Sequence, residues 1–183
     1  MNKMLDFGKN YFELFGLPQV YRLDQQALAE RYRELQRVTH PDRHAAADDR
    51  QRRLAVQAAA QVNAAYETLK DPMLRARYLL ALLGVEMAEQ GESTQDGAFL
   101  MEQMEMREEL EAAKAAADPY AVTADLASRI EQQTNSLIAR MAMYFETAST
   151  EQLEQAREIV RKMQFLQKLA QEVDRVEREL DEL

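Results

Sequence analysis

The sequence contains no cysteine. Disulfides, thiolate metal sites, directly Cys-ligated iron–sulfur clusters and Cys nucleophiles are therefore excluded. Histidine is nearly absent: the only two, His40 and His44, lie within five residues of each other, so any imidazole chemistry is confined to that stretch. Five glycines and four prolines in 183 residues are too few for a sandwich or barrel of short strands, which needs a turn every ten or so positions. Long hydrophobic runs are missing as well. The longest, Tyr78 to Val85, falls well short of the ~20 apolar residues that cross a bilayer. The N-terminus, Met1-Asn2-Lys3-Met4-Leu5-Asp6, has no apolar stretch of the kind that opens a secretory signal. Without cysteine or such a signal, the expected compartment is the cytoplasm, with no membrane partner. What the chain has in quantity is charge, at 30% of residues against 7% aromatic.

The charge is unevenly spread. Residues 1–76 hold 12 Lys/Arg and 10 Asp/Glu, a net of +2, whereas residues 77–183 hold 11 and 22, a net of −11. From Arg31 to Arg53 there are seven arginines, and from Glu86 to Glu111 there are nine acids with the single base Arg107. Surfaces of opposite sign on one small protein suit two different partners, although charged helical faces also serve solubility alone. The acidic half is a poor match to a phosphate backbone, so no nucleic-acid partner is expected there.

Hydrophobic spacing predicts an all-α chain. Tyr11-Phe12-Glu13-Leu14-Phe15, closed by Gly16 and Pro18, forms a short helix whose aromatics pack on later elements. A second helix begins at Asp24, a plausible N-cap, and aligns Leu28, Tyr32, Leu35 and Thr39. Pro41 ends it. A third, from about Asp49 to Lys70, aligns Leu54, Ala58, Val62, Ala65 and Leu69, so the two form an antiparallel hairpin with His40-Pro41-Asp42 at its tip. Asp71-Pro72 restarts the chain into a Leu-rich helix, Met73 to Leu83, that is expected to pack between two domains and to limit their motion. Glu86 to Gly97 reads as a linker loop. Three helices follow, over about 98–116, 120–147 and 150–181, with Asp118-Pro119 and Ser149-Thr150 between them. The stripe Val122, Leu126, Ile130, Leu137, Met141 and the stripe Leu153, Ala156, Val160, Met163, Ala170, Val173, Leu180 pack as an elongated three-helix bundle.

The His40-Pro41-Asp42 corner admits several readings. As a hydrolase dyad it lacks a nucleophile, since no serine occurs before Ser93 and Thr39 belongs to the buried stripe. As a metal site it would use His40, Asp42 and His44, with no fourth ligand of obvious geometry. As structure it is simply a helix stop. Its surroundings carry more. Tyr32-Arg33-Glu34-Leu35, His40-Pro41-Asp42-Arg43, Val62-Asn63-Ala64-Ala65-Tyr66-Glu67-Thr68-Leu69-Lys70-Asp71-Pro72 and Arg75-Ala76-Arg77-Tyr78 together resemble a J-domain, and Tyr11 to Leu17 fits that family's first helix. The resemblance implies that the His-Pro-Asp loop and basic residues of the preceding helix dock on a DnaK-type chaperone and stimulate its ATPase. Carried over by position, the chaperone-binding residues are His40, Pro41 and Asp42 with Arg31, Arg33, Arg37 and Arg43. Val38, Thr39 and Glu34 depart from the common pattern, which points to a dedicated chaperone.

Residues 98–113 form a helix with two apolar faces. At 100° per residue, Phe99, Met106, Leu110 and Ala113 share a core stripe, while Leu100, Met101 and Met104 lie opposite beside Glu105, Glu108 and Glu111. The second face is either a partner site of adaptable methionines or the other side of a sandwiched central helix.

A J-domain followed by this segment and by Val160-Arg161-Lys162-Met163-Gln164-Phe165-Leu166 is similar to the HscB-type co-chaperones of iron–sulfur cluster assembly, over essentially the whole chain. The resemblance implies an L-shaped, all-α arrangement: a J-domain at 1–76, a connecting helix and linker at 77–97, and a three-helix scaffold-binding domain at 98–183. It implies an HscA-type chaperone and an IscU-type scaffold protein as partners, no catalytic activity, no cofactor or metal of its own, and a monomer. The matching scaffold-contact residues are Leu100, Met101, Met104, Glu105, Glu108 and Phe165; a further acid of the family falls on Ala112 and is not carried over. Two rivals remain: a J-protein for another client, and a metal-dependent enzyme built on His40, Asp42 and His44.

Overall fold

A computed structural model describes residues 8–39, 48–88 and 92–182. Among them there is no strand. Seven helices follow one another: α1 Tyr11–Phe15, α2 Gln25–Thr39, α3 Asp49–Lys70, α4 Pro72–Leu82, α5 Gly97–Ala113, α6 Pro119–Thr147 and α7 Thr150–Asp181. The chain divides into two compact units, Met1–Leu82 and Leu83–Leu183.

Short polar side chains start the helices, each accepting from backbone N–H groups that have no partner inside the helix. Asn10 opens α1 in a reciprocal capping box with Glu13. Asp24 accepts from the Ala27 N–H at 3.0 Å, Asp48 from Gln51 at 2.7 Å, Asp71 from Leu74 at 2.8 Å and Asp118 from Ala121 at 3.0 Å. Ser149 and Gln152 form a second capping box at α7. Gly16 terminates α1 in the left-handed region at φ 63°, where a glycine has no side-chain penalty. Ala148 makes the same turn after α6 at φ 50° with a Cβ present.

In the N-terminal unit, Phe12, Leu28, Val62, Ala65, Leu69, Ala76 and Leu80 are wholly buried. Tyr11 stacks on Tyr78 at 4.5 Å, and its backbone N–H donates to the Tyr78 hydroxyl at 3.0 Å, so α1 is fastened to α4. The α2–α3 hairpin is clamped near its middle. Tyr32 stacks on Tyr66 at 3.9 Å and donates its hydroxyl to Asn63 at 3.0 Å. Arg75, buried on α4, donates to the Leu69 carbonyl at 2.6 Å and lies over the Tyr21 ring. Burial pushes the Tyr21 hydroxyl up to about 12, and the neighbouring guanidinium only partly offsets this.

The C-terminal unit is an up-down-up bundle. Going along α5 from Glu102 to Glu109, the partners on α6 step back from Gln133 at 2.5 Å to Arg129 at 2.6 Å, so those helices are antiparallel. Asp96 to Lys162, Arg107 to Glu172 and Lys114 to Glu179 rise in the same order along α5 and α7, which run parallel. Leu126, Met141, Ala156, Val160, Leu166 and Leu169 fill the centre. The predicted stripes hold with shifts at their edges. Val122, Ala170 and Leu180 are half-buried, while Ile159, Leu166, Leu169 and Val176 join the core. Helix α5 stops at Ala113 instead of 116, because Ala115 and Ala116 bond to residues three back and tighten the exit before Asp118.

Candidate functional sites

The N-terminal unit presents α2 as a basic ridge. Leu28 and Thr39 face the core, which turns Arg33 and Arg37 outward one turn apart. Arg31, Arg33 and Arg37 are all exposed. Arg31 pairs with Glu34 at 2.9 Å across side chains that are each more than half exposed, so the pair is solvent-screened and Glu34 removes part of the local positive field. Arg50, Arg52 and Arg53 are exposed at the start of α3, on the far side of the hairpin tip. Thr39 donates its hydroxyl to the Leu35 carbonyl at 2.9 Å, so the one hydroxyl beside the tip is engaged in the helix. His40, Pro41, Asp42, Arg43 and His44 lie outside the described residues, and among the described ones no three His, Asp or Glu form a metal-binding group.

The C-terminal unit builds its site on the segment leading into α5. Glu92 receives Arg157 through two nitrogens, at 2.8 and 3.2 Å, Arg161 through two more at 3.0 and 3.1 Å, and the Ala88 N–H at 2.9 Å. The Arg157 hydrogen bonds lead in drawing its carboxyl down to about 2, so Glu92 stays ionised in this clasp. Thr94, buried, donates its hydroxyl to Glu158, and Arg161 holds the other Glu158 oxygen at 3.0 Å. Asp96 caps α5 at the Phe99 N–H and receives Lys162 at 2.6 Å; the lysine hydrogen bond is the main cause of its lowered pKa. The segment predicted as a linker is thus pinned to α7 over residues 92–96.

This clasp sets the position of the first turns of α5. Phe99, expected in the core stripe, is half-buried instead, because it lies at the α5–α7 edge. It meets Phe165 edge-on at 6.3 Å, with the Lys162 ammonium 5.5 Å from its ring centre. Its core position is taken by Gln103, which is 1% exposed and donates to the Gln133 side-chain oxygen Oε1 at 3.2 Å. Gln133 donates in turn to Glu102. Only a polar residue in an apolar phase of the helix signals this chain in the sequence; the Glu92 clasp spans some 65 residues and leaves no local trace.

Six residues are expected to make the partner face. Met101 is 65% and Met104 59% exposed, Glu105 and Glu108 are exposed, and Leu100 and Phe165 are half-buried. The sandwiched alternative for α5 therefore does not hold. Leu100, Met101, Met104 and Glu108 share one side of the helix, and the Phe99–Phe165 contact brings the α7 ring to its N-terminal edge.

Comparison with known proteins matches both units. Residues 10–78 fit the family model of the DnaJ domain, and residues 95–174 that of the HSCB C-terminal oligomerisation domain. A co-chaperone protein HscB homolog of Vibrio cholerae serotype O1 (strain M66-2) is 47% identical over 171 residues, covering 93% of this chain and 98% of the relative. One of Shewanella halifaxensis is 44% identical over 168 residues, covering 92% and 97%. Among solved structures, chaperone HscB from Vibrio cholerae superposes with a TM-score of 0.84 at 45% identity, over 94% of this chain and 99% of that one. Human co-chaperone protein HscB gives 0.82 at 30% identity, over 92% and 82%.

Proposed function

The chain belongs to the HscB family of J-domain co-chaperones, and on that premise we propose that it captures an IscU-type iron–sulfur scaffold protein and delivers it to an HscA-type chaperone. Its J-domain corresponds to residues 1–76, its scaffold-binding domain to 98–183, and the work is done in the cytoplasm. The observation that carries this reading is the exposed Leu100/Met101/Met104 face beside Phe165, on a unit separate from the one that bears the arginine ridge.

The chemistry divides accordingly. Leu100, Met101, Met104 and Phe165 supply apolar area that a partner removes from water, at about 25 cal/mol per Å² before the costs of association. Glu105 and Glu108 favour a partner with basic residues around its apolar anchor and disfavour a second copy of this acidic face. On the other unit, Arg31, Arg33, Arg37 and Arg43 steer the hairpin to an acidic surface of the ATPase, and His40-Pro41-Asp42 biases that enzyme toward its hydrolysing conformation. The co-chaperone performs no bond chemistry itself.

The direct check is steady-state ATPase of an HscA-type chaperone with this protein, with an IscU-type scaffold, and with both. The expected outcome is stimulation by each alone and more than the sum of the two together. A merely additive result with the scaffold would point to a different client.

A further inference from the structure

The sequence has neither cysteine nor tryptophan, so its oxidation chemistry falls chiefly on methionine thioethers. Among the described residues, three of those sulfurs belong to strongly exposed side chains: Met101 at 65%, Met143 at 61% and Met104 at 59%. Met106 and Met141 are fully buried, and Met163 is 5% exposed. Two of the three accessible methionines therefore stand one helical turn apart on the face assigned above to the scaffold.

We propose that Met101 and Met104 are a reversible oxidation site, and that peroxide acting on them switches off capture of the scaffold. The proposal rests on the assignment of that face. In the reaction the thioether sulfur donates an electron pair to one peroxide oxygen, and the O–O bond breaks as the S–O bond forms. The sulfide becomes a sulfoxide, a two-electron oxidation, while the second oxygen leaves as water with both protons. A dithiol reductase reverses it, releasing the sulfoxide oxygen as water and ending as a disulfide.

The local chemistry makes the change costly at an interface. A sulfoxide oxygen only accepts hydrogen bonds, and the side chains one turn on, Glu105 from Met101 and Glu108 from Met104, offer carboxylate oxygens that accept as well. The one base of this stretch, Arg107, is held by Glu172 at 3.2 Å towards α7. Once a partner covers the face, each new oxygen is buried without a donor from α5.

The test uses the full chain, treated with hydrogen peroxide that is removed by catalase before any scaffold is added. Peptide mass spectrometry should place oxygen on Met101, Met104 and Met143 ahead of Met106, Met141 and Met163. Calorimetric affinity for an IscU-type scaffold should fall at least about tenfold, equivalent to ~1.4 kcal/mol, and return after methionine sulfoxide reductase with dithiothreitol. Chaperone stimulation without scaffold should be unaltered. The Met101→Leu/Met104→Leu variant should bind equally before and after peroxide, whereas Met143→Leu should remain sensitive. Unchanged affinity with both sulfurs oxidised, or equal peroxide loss in the leucine pair, overturns the proposal. An unoxidised Met101→Ala/Met104→Ala variant separates the two levels. If it binds as tightly as wild type, the assignment of the face itself fails; if it binds weakly while the sulfoxide form binds normally, only the switch fails.

Discussion

The two units use arginine and glutamate for opposite ends. In the N-terminal unit, Arg31–Glu34 and Arg52–Asp49 pair within single helices at well-exposed positions, and Arg33 and Arg37 project from the outer side of α2. Such charges act at a distance and depend on salt. In the C-terminal unit, Glu92, Asp96, Glu109, Glu172 and Glu179 join separate elements to one another, and Glu92 alone gathers two arginines and a backbone N–H. These charges hold a geometry, namely the placement of the first turns of α5 against α7. Exposed charges thus stay within single helices in the first unit and tie separate elements together in the second, while the first unit's buried Arg75 joins α4 to the end of α3. Aromatic stacking takes the supporting role in the first unit, through Tyr11–Tyr78 and Tyr32–Tyr66.

The sharpest way to break this comparison is to unfold one unit and ask whether the other notices. Phe12→Ala removes a fully buried ring and should destabilise the N-terminal unit by about 3–5 kcal/mol. Differential scanning calorimetry should then show one transition moved down and the other in place, with scaffold affinity kept. Next in size, Leu100→Ala combined with Phe165→Ala should weaken scaffold binding by about 2–4 kcal/mol while leaving stimulation of the chaperone without scaffold intact.

Glu92→Gln tests the clasp, and should cost about 1–3 kcal/mol near neutral pH in a chemical-denaturation series. Its pH dependence has a fixed sign. A carboxyl lowered from its ordinary 4.5 to about 2 binds protons more readily unfolded than folded, so its stabilisation is complete above about pH 4.5 and is lost as pH falls towards 2. The gap between wild type and variant should close over that window. The smallest effect is expected at Ala148, whose left-handed φ of 50° carries a Cβ penalty. Ala148→Gly should raise stability by about 1 kcal/mol, as read from the same denaturation curves.

How far the sequence reveals all this follows from the range of each interaction. Helix limits are legible because Asp24, Asp71, Asp118 and Ser149 act on residues two or three away, and core stripes because Leu28, Val62, Leu126 and Val160 recur at helical spacing. The outward face of α5 is visible for the same reason, since Leu100, Met101 and Met104 fall out of phase with Met106 and Leu110. Glu92 reads as part of a loop because nothing nearby shows that Arg157 and Arg161 wait on α7. Phe99 looks like core from its phase alone. Its neighbour Phe165, on another helix, decides that it sits at an edge, and buried Gln103 fills the place that the pattern gives it.

The central claim is that one molecule joins the two sites, so that the scaffold held on α5 arrives at the chaperone with the His-Pro-Asp loop. Mixing two defective proteins tests this directly. Asp42→Asn should stimulate no hydrolysis yet bind scaffold, and the Leu100→Ala/Phe165→Ala variant should do the reverse. Steady-state ATPase of an HscA-type chaperone with scaffold and an equimolar mixture of the two should lack the extra stimulation that wild type gives. Restoration of the wild-type rate by the mixture would contradict delivery in one molecule.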